Sequence, residues 1–144
     1  MAVCHAGSRA ASLEHLRILA KGKHVICLQE LHGLIEEILA EFVSLLPGWT
    51  VWHSPIWYTH GLPDGSYAGV AILVCPSLSE YADVQHTISV DGRIHSVDIT
   101  LDFNYASGGA PDLRTFTVVN VHNFGISGSS MDIVGTFVAG KLES

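Results

Sequence analysis

Between Gly33 and Pro47, the residues Leu34, Ile35, Ile38, Leu39, Phe42 and Leu45 recur at the spacing of one helical face. Glu36, Glu37 and Glu41 fall mostly away from that stripe. A helix with one apolar face has to bury it against another layer. The run just before it, His24 to Gln29, is short and nearly continuously apolar, the pattern of a strand buried on both faces. A buried strand feeding an amphipathic helix restricts the chain to a layered fold of helices and sheet. With 144 residues, 48% of them hydrophobic and 15% charged, the chain has room for one domain and material for a core.

The rest of the pattern fills in around that pair. Ser12 is placed to cap a helix running to about Lys21, with Leu13, Leu16, Leu19 and Ala20 on one side and Gly22 as its stop. Trp49 to Ser54 reads as a strand, Pro55 to Ser66 as a loop with a Pro-Asp-Gly turn, and Tyr67 to Cys75 as a second apolar strand closed by Pro76. Asp91-Gly92 lies between two strand-like runs, Tyr81 to Val90 and Arg93 to Leu101, and so predicts a hairpin. Tyr105 to Pro111 is polar and turn-rich. Arg114 to His122 is a strong strand that sets Phe116, Val118, Asn120 and His122 on one face. Ser129 or Ser130 caps a last helix with Ile133, Val134, Phe137 and Val138 as its stripe. Ala2 to His5 carries a weak strand signal. The order predicts a mixed α/β, or α+β, fold with hairpins, distinct from the regular alternation of a doubly wound sheet.

Composition narrows function less than fold. A formal net charge of −7 argues against nonspecific nucleic-acid binding through a broad basic surface. It is compatible with phosphate binding through a metal ion, which brings its own positive charge. The three cysteines, Cys4, Cys27 and Cys75, form no CxxC pair, and Cys27 and Cys75 sit in strand-like runs where buried free thiols are expected. No stretch is long and apolar enough for a membrane span, and the first residues lack a secretory h-region. The expectation is an intracellular protein. The tryptophans Trp49, Trp52 and Trp57 read as strand packing ahead of base stacking. His53 and His60 lack companions for a metal site, and the nine histidines read as scattered surface positions.

Two segments carry candidate chemistry. In Val25-Ile26-Cys27-Leu28-Gln29-Glu30 a buried strand delivers Glu30 to its C-terminal end, where α/β folds bind ligands. A carboxylate there is a hard-oxygen ligand for Mg²⁺ or Mn²⁺; alternatively, Glu30 simply opens the following helix and favours its dipole. In Thr117-Val118-Val119-Asn120-Val121-His122-Asn123 two polar side chains, Asn120 and His122, interrupt an apolar face. Burying them unpaired would cost a few kcal/mol. They are either satisfied sheet-end groups or donors aimed at a phosphate oxygen.

These runs carry a family resemblance. Ile26-Cys27-Leu28-Gln29-Glu30-Leu31-His32-Gly33 resembles the LQE signature of the endonuclease/exonuclease/phosphatase, or deoxyribonuclease-I-like, superfamily. Tyr67-Ala68-Gly69-Val70-Ala71-Ile72-Leu73-Val74 resembles its GVAIL strand, and Gly92-Arg93-Ile94-His95-Ser96-Val97 its GR strand. Val118-Val119-Asn120-Val121-His122-Asn123 resembles the strand ending at a phosphate contact. Four modest motifs stand in the family's order across residues 23–125.

The resemblance implies a two-sheet α/β sandwich with helices outside, and a metal-dependent phosphoester hydrolase, foremost a nuclease with nucleic acid as substrate. Glu30 would hold the Mg²⁺ or Mn²⁺, with His122 and Asn120 at the phosphate. Deoxyribonuclease-like and sphingomyelinase-like members carry histidine at the His122 position. The chain departs from the family in two places. Val3-Cys4-His5-Ala6-Gly7 lacks the usual asparagine, and nothing after His122 matches the GDxN and SDH segments that supply the remaining catalytic groups. Asp102-Phe103-Asn104 precedes the His122 strand and reads as a strand end and turn. The expectation is therefore a single, incomplete domain over residues 1–144, inactive alone and with apolar sheet faces uncovered. A phosphate- or nucleic-acid-binding remnant and a lipid or inositol phosphatase-like member are the alternatives.

Overall fold

The computed structural model describes residues 6–57, 66–122 and 128–143. Helix α1 (Ala6–Leu19) leads through Gly22, whose φ of 70° suits a glycine, into strand β1 (Val25–Leu34) and helix α2 (Ile35–Leu45). Strands β2 (Thr50–Trp57) and β3 (Ser66–Val74), the short helix α3 (Pro76–Tyr81), the hairpin strands β4 (Ala82–Val90) and β5 (Ile94–Asp102), a 3₁₀ turn at Tyr105–Ser107, β6 (Leu113–Val121) and helix α4 (Gly128–Glu143) follow. The result is a mixed fold of helices and two three-stranded antiparallel sheets, ordered β1-β3-β2 and β4-β5-β6. Among the described residues no helix is long and apolar enough to cross a membrane.

Alternation of side chains along the strands sorts the core into two layers. One face of the first sheet, including Leu28, Leu31, Ala71 and Leu73, meets Leu16 and Ala20 of the α1 region and Ile35, Ile38 and Phe42 of α2. Its other face, with Ile72 and Val74, meets Val97 and Ile99 of β5. The two sheets therefore face each other, with α1 and α2 covering the outer side of the first. Trp49 packs on the helix side and Trp52 between the sheets, the packing roles expected of them.

Gly69 makes the β2–β3 contact possible. It pairs with Pro55, and a Cβ there would stand 2.5 Å from the Ser54 carbonyl oxygen. Pro55 is tolerated because β2 is an edge strand, where a missing N–H breaks no ladder.

Several expectations need correction. Helix α1 begins at Ala6, so Ser12 lies inside it; Ala10 and Ala11 favour helix before any cap at Ser12. Leu19, assigned to the buried stripe, is exposed. Strand β1 extends beyond Gln29 to Leu34, with a register shift between Leu28 and Leu31. It is an edge strand, so Cys27 is exposed, whereas Cys75 is buried as expected. Strand β2 continues through Pro55 to Trp57, into the segment read as loop. Helix α3 was not anticipated; Pro76 sits in its first turn, where the missing N–H costs nothing. The Asp91-Gly92 hairpin and the Asp102 strand end form as read, the latter with the Asn104 backbone N–H donating to Asp102 Oδ1 at 2.9 Å. The expected strand at Ala2–His5, the turn at Pro63-Asp64-Gly65 and His60 lie outside the described residues.

Candidate functional site

The register shift in β1 falls at Gln29 and Glu30, and Glu30 has φ of 55°. A left-handed backbone is uncommon for a residue with a Cβ and costs on the order of 1–3 kcal/mol. It is the one non-glycine position with positive φ among the described residues. The irregularity turns the Glu30 carboxylate toward the end of the other sheet. There, Glu30 Oε1 stands 3.3 Å from His122 Nε2, at the residue directly after β6. The Glu30 side chain is 41% exposed and that of His122 14%, so the pair is half open to solvent.

Arg93, at the turn before β5, closes the other side of the imidazole: its Nη1 lies 3.0 Å from His122 Nδ1. The His122 backbone N–H also donates to the Arg93 carbonyl at 2.8 Å. A guanidinium has no acceptor, so it donates to Nδ1, which leaves Nε2 as the ring's N–H, facing Glu30. The three side chains form a series of guanidinium, imidazole and carboxylate. Glu30 and His122, singled out from distant segments of the sequence, are brought together; Arg93 was visible in the sequence only as part of the GR motif.

Asn120 is placed differently. It is 2% exposed and lies between the sheets. Its Nδ2 stands 3.0 Å from the Leu28 carbonyl, 3.0 Å from the Ala71 carbonyl and 3.2 Å from His95 Nε2. Its Oδ1 accepts from Gln29 Nε2 at 3.2 Å, and the same Gln29 nitrogen donates to the Val121 carbonyl at 2.6 Å. A phosphate oxygen would reach this amide only by displacing those partners. Asn120 thus ties β1, β3, β5 and β6 together beneath the Glu30–His122 pair.

The network continues into residues the sequence reading assigned to the surface. His95 is fully buried, and its Nδ1 lies 3.0 Å from His86 Nε2. Burial, then the neighbouring His86 and His53, push the His95 imidazole down to about 4. Burial and His53 lower His86 in the same direction, and burial lowers His53. The available signal was the one that marked Asn120: His95 interrupts the apolar alternation Val97, Ile99, Leu101 on the core face of β5.

Glu30 offers one oxygen-donor carboxylate, and among the described residues no group of three or more His, Cys, Asp or Glu side chains could hold a metal ion. Mg²⁺ is commonly held by one or two carboxylates, the remaining positions being water and substrate phosphate. The half-open carboxylate fits that kind of site, in which a phosphate completes the coordination, and does not fit a cage built from protein ligands alone. No protein-family description, no curated protein and no solved structure matches the chain.

Proposed function

We propose that this chain carries metal- and phosphate-holding residues of a divalent-metal-dependent phosphoester hydrolase, of the nuclease type its motifs resemble. The observation that carries the reading is the 3.3 Å approach of His122 to Glu30. The two residues that the resemblance assigns to phosphate and metal come from different sheets and share one half-exposed rim. The strained backbone at Glu30 supports it further, because such strain concentrates at functional sites. Two facing sheets, the first covered on its outer side by α1 and α2, are compatible with the sandwich that the resemblance implies.

In this reading Glu30 would hold Mg²⁺ or Mn²⁺ through its carboxylate. The ion would supply Lewis-acid polarisation of a phosphoryl oxygen. Arg93 keeps the His122 proton on Nε2, on the side of the carboxylate, where it can donate to a phosphate oxygen. The guanidinium adds positive charge beside the same anion. Asn120 acts from below, by fixing the strand ends.

Among the described residues no second carboxylate joins Glu30 at the site, so binding of a metal–phosphate pair is the property to test first. Calorimetric titration with inorganic phosphate, with and without Mg²⁺, is expected to give Mg²⁺-dependent binding that Glu30→Gln and His122→Ala each weaken at least tenfold. Phosphate binding indifferent to both substitutions would overturn the reading. Hydrolysis assays on DNA, on RNA and on a phosphorylated inositol then separate the nuclease from the lipid or inositol phosphatase alternative, and binding without turnover identifies a non-catalytic remnant.

A further inference from the structure

Each of the three residues at the proposed site is a near neighbour, along the chain, of a member of the hydrogen-bonded network. Glu30 follows Gln29, His122 lies two residues after Asn120, and Arg93 lies two before His95. The network also fixes its own protons. The Leu28 and Ala71 carbonyls set the orientation of the Asn120 amide, so that its NH₂, sharing two protons among three acceptors, faces His95 Nε2. A nitrogen facing a donor must be bare, so the His95 proton sits on Nδ1 and is donated to His86 Nε2. The groups arrayed around His95 are Asn120 from β6 and His86 and Ile88 from β4, with Gln29 of β1 behind Asn120 and the His53 imidazole of β2 acting through space. The charged Arg93 and Glu30 meet at His122, beyond this shell.

We propose that the Gln29–Asn120–His95–His86 chain is an acid-sensitive positioning lock that holds Glu30, His122 and Arg93 in register and releases them when His95 takes up a proton. A doubly protonated His95 presents N–H to the N–H of Asn120 at 3.2 Å, two donors face to face inside a fully buried site. Either the amide turns, giving up the Leu28 and Ala71 carbonyls, or the imidazole leaves its place. Both movements free the ends of β1 and β6. The lock itself is a property of the fold; its consequence for phosphate rests on the site reading above.

The test is NMR of the full chain from pH 7 down to pH 3, for the wild type and for His95→Gln, whose side-chain oxygen can accept from Asn120 but binds no proton. In the wild type the Asn120 and Gln29 side-chain amides, which are bonded to each other, are expected to shift together, at one midpoint shared with the His95 ring and below pH 6.5, while the circular dichroism of the fold persists. In His95→Gln the two amides are expected to hold their positions through the same range. The lock is overturned if they move identically in the variant, or if the wild-type amides stay fixed while His95 protonates. A second readout does not depend on the variant folding: imidazole ¹⁵N shifts at pH 7 must report His95 as the Nδ1–H tautomer, and the Nε2–H tautomer would overturn the proposal. Phosphate is absent from both measurements, so failure of the lock is distinguishable from failure of the phosphate site.

Discussion

Lowering the pH from 7 to 4 asks the folded protein to accept a proton at His95, a side chain that is fully buried and bonded to Asn120 and His86. Its imidazole is depressed from 6.5 to about 4, by burial first and by His86 and His53 after it. In the window between those values the unfolded chain binds a proton that the folded chain excludes. Stability is therefore highest above pH 6.5, falls as the pH drops through the window, and flattens for this group below about 4. At about 1.4 kcal/mol per pKa unit, the total is roughly 3 kcal/mol, a large fraction of the 5–15 kcal/mol typical of a domain. His86 and His53 are lowered in the same direction and add to the slope. The carboxylate of Asp98 behaves separately: burial works against its charge, but hydrogen bonds from Lys141 and Thr117 prevail and hold it below its ordinary 3.8. Its contribution is present above that value and is lost only as the pH falls through the lower folded one. Urea denaturation at half-unit steps from pH 7.5 to 4 measures the slope directly. The wild type is expected to lose stability steadily below pH 6.5, and His95→Gln to lose it less steeply by about one proton, or about 1.4 kcal/mol per pH unit. Equal slopes for the two proteins would show that folding does not exclude a proton from His95.

Three further outcomes follow from the same geometry. Glu30→Gly removes the Cβ from a residue at φ 55° and is expected to raise stability by about 1 kcal/mol in urea denaturation, with loss of Mg²⁺-dependent phosphate binding. Asn120→Ala deprives the Leu28 and Ala71 carbonyls and Gln29 of their partner and is expected to cost about 2–4 kcal/mol by the same method. Gly69→Ala drives a Cβ to 2.5 Å from the Ser54 carbonyl and should lower the melting temperature by several degrees, for a cost of roughly 1–3 kcal/mol.

How much of this was legible in the sequence depended on whether a feature is local. Helix α2, β3 and the Asp91-Gly92 hairpin announce themselves through periodicity and turn chemistry carried within a few residues. The start of α1 did not, because Ser12 has a good capping side chain yet sits in an alanine-rich stretch that is already helical. Cys27 looked buried because its run is apolar, but exposure is decided by strand order, and β1 lies at an edge. Glu30 and His122 could be nominated separately, as polar groups closing apolar strands. That they meet depends on how the two sheets face each other, which no short window encodes. The same holds for the histidines: His95 and His86 are one more pair among nine until the antiparallel register places their strands side by side.

The site proposed for a metal-bound phosphate joins Glu30, His122 and Arg93, and Mn²⁺ reports on it by paramagnetic broadening. In the presence of inorganic phosphate, substoichiometric Mn²⁺ is expected to bleach the NMR signals of Glu30, His122 and Arg93 before any others, and Glu30→Gln is expected to abolish the effect. Broadening centred on another acidic cluster, or unchanged in Glu30→Gln, would contradict the account.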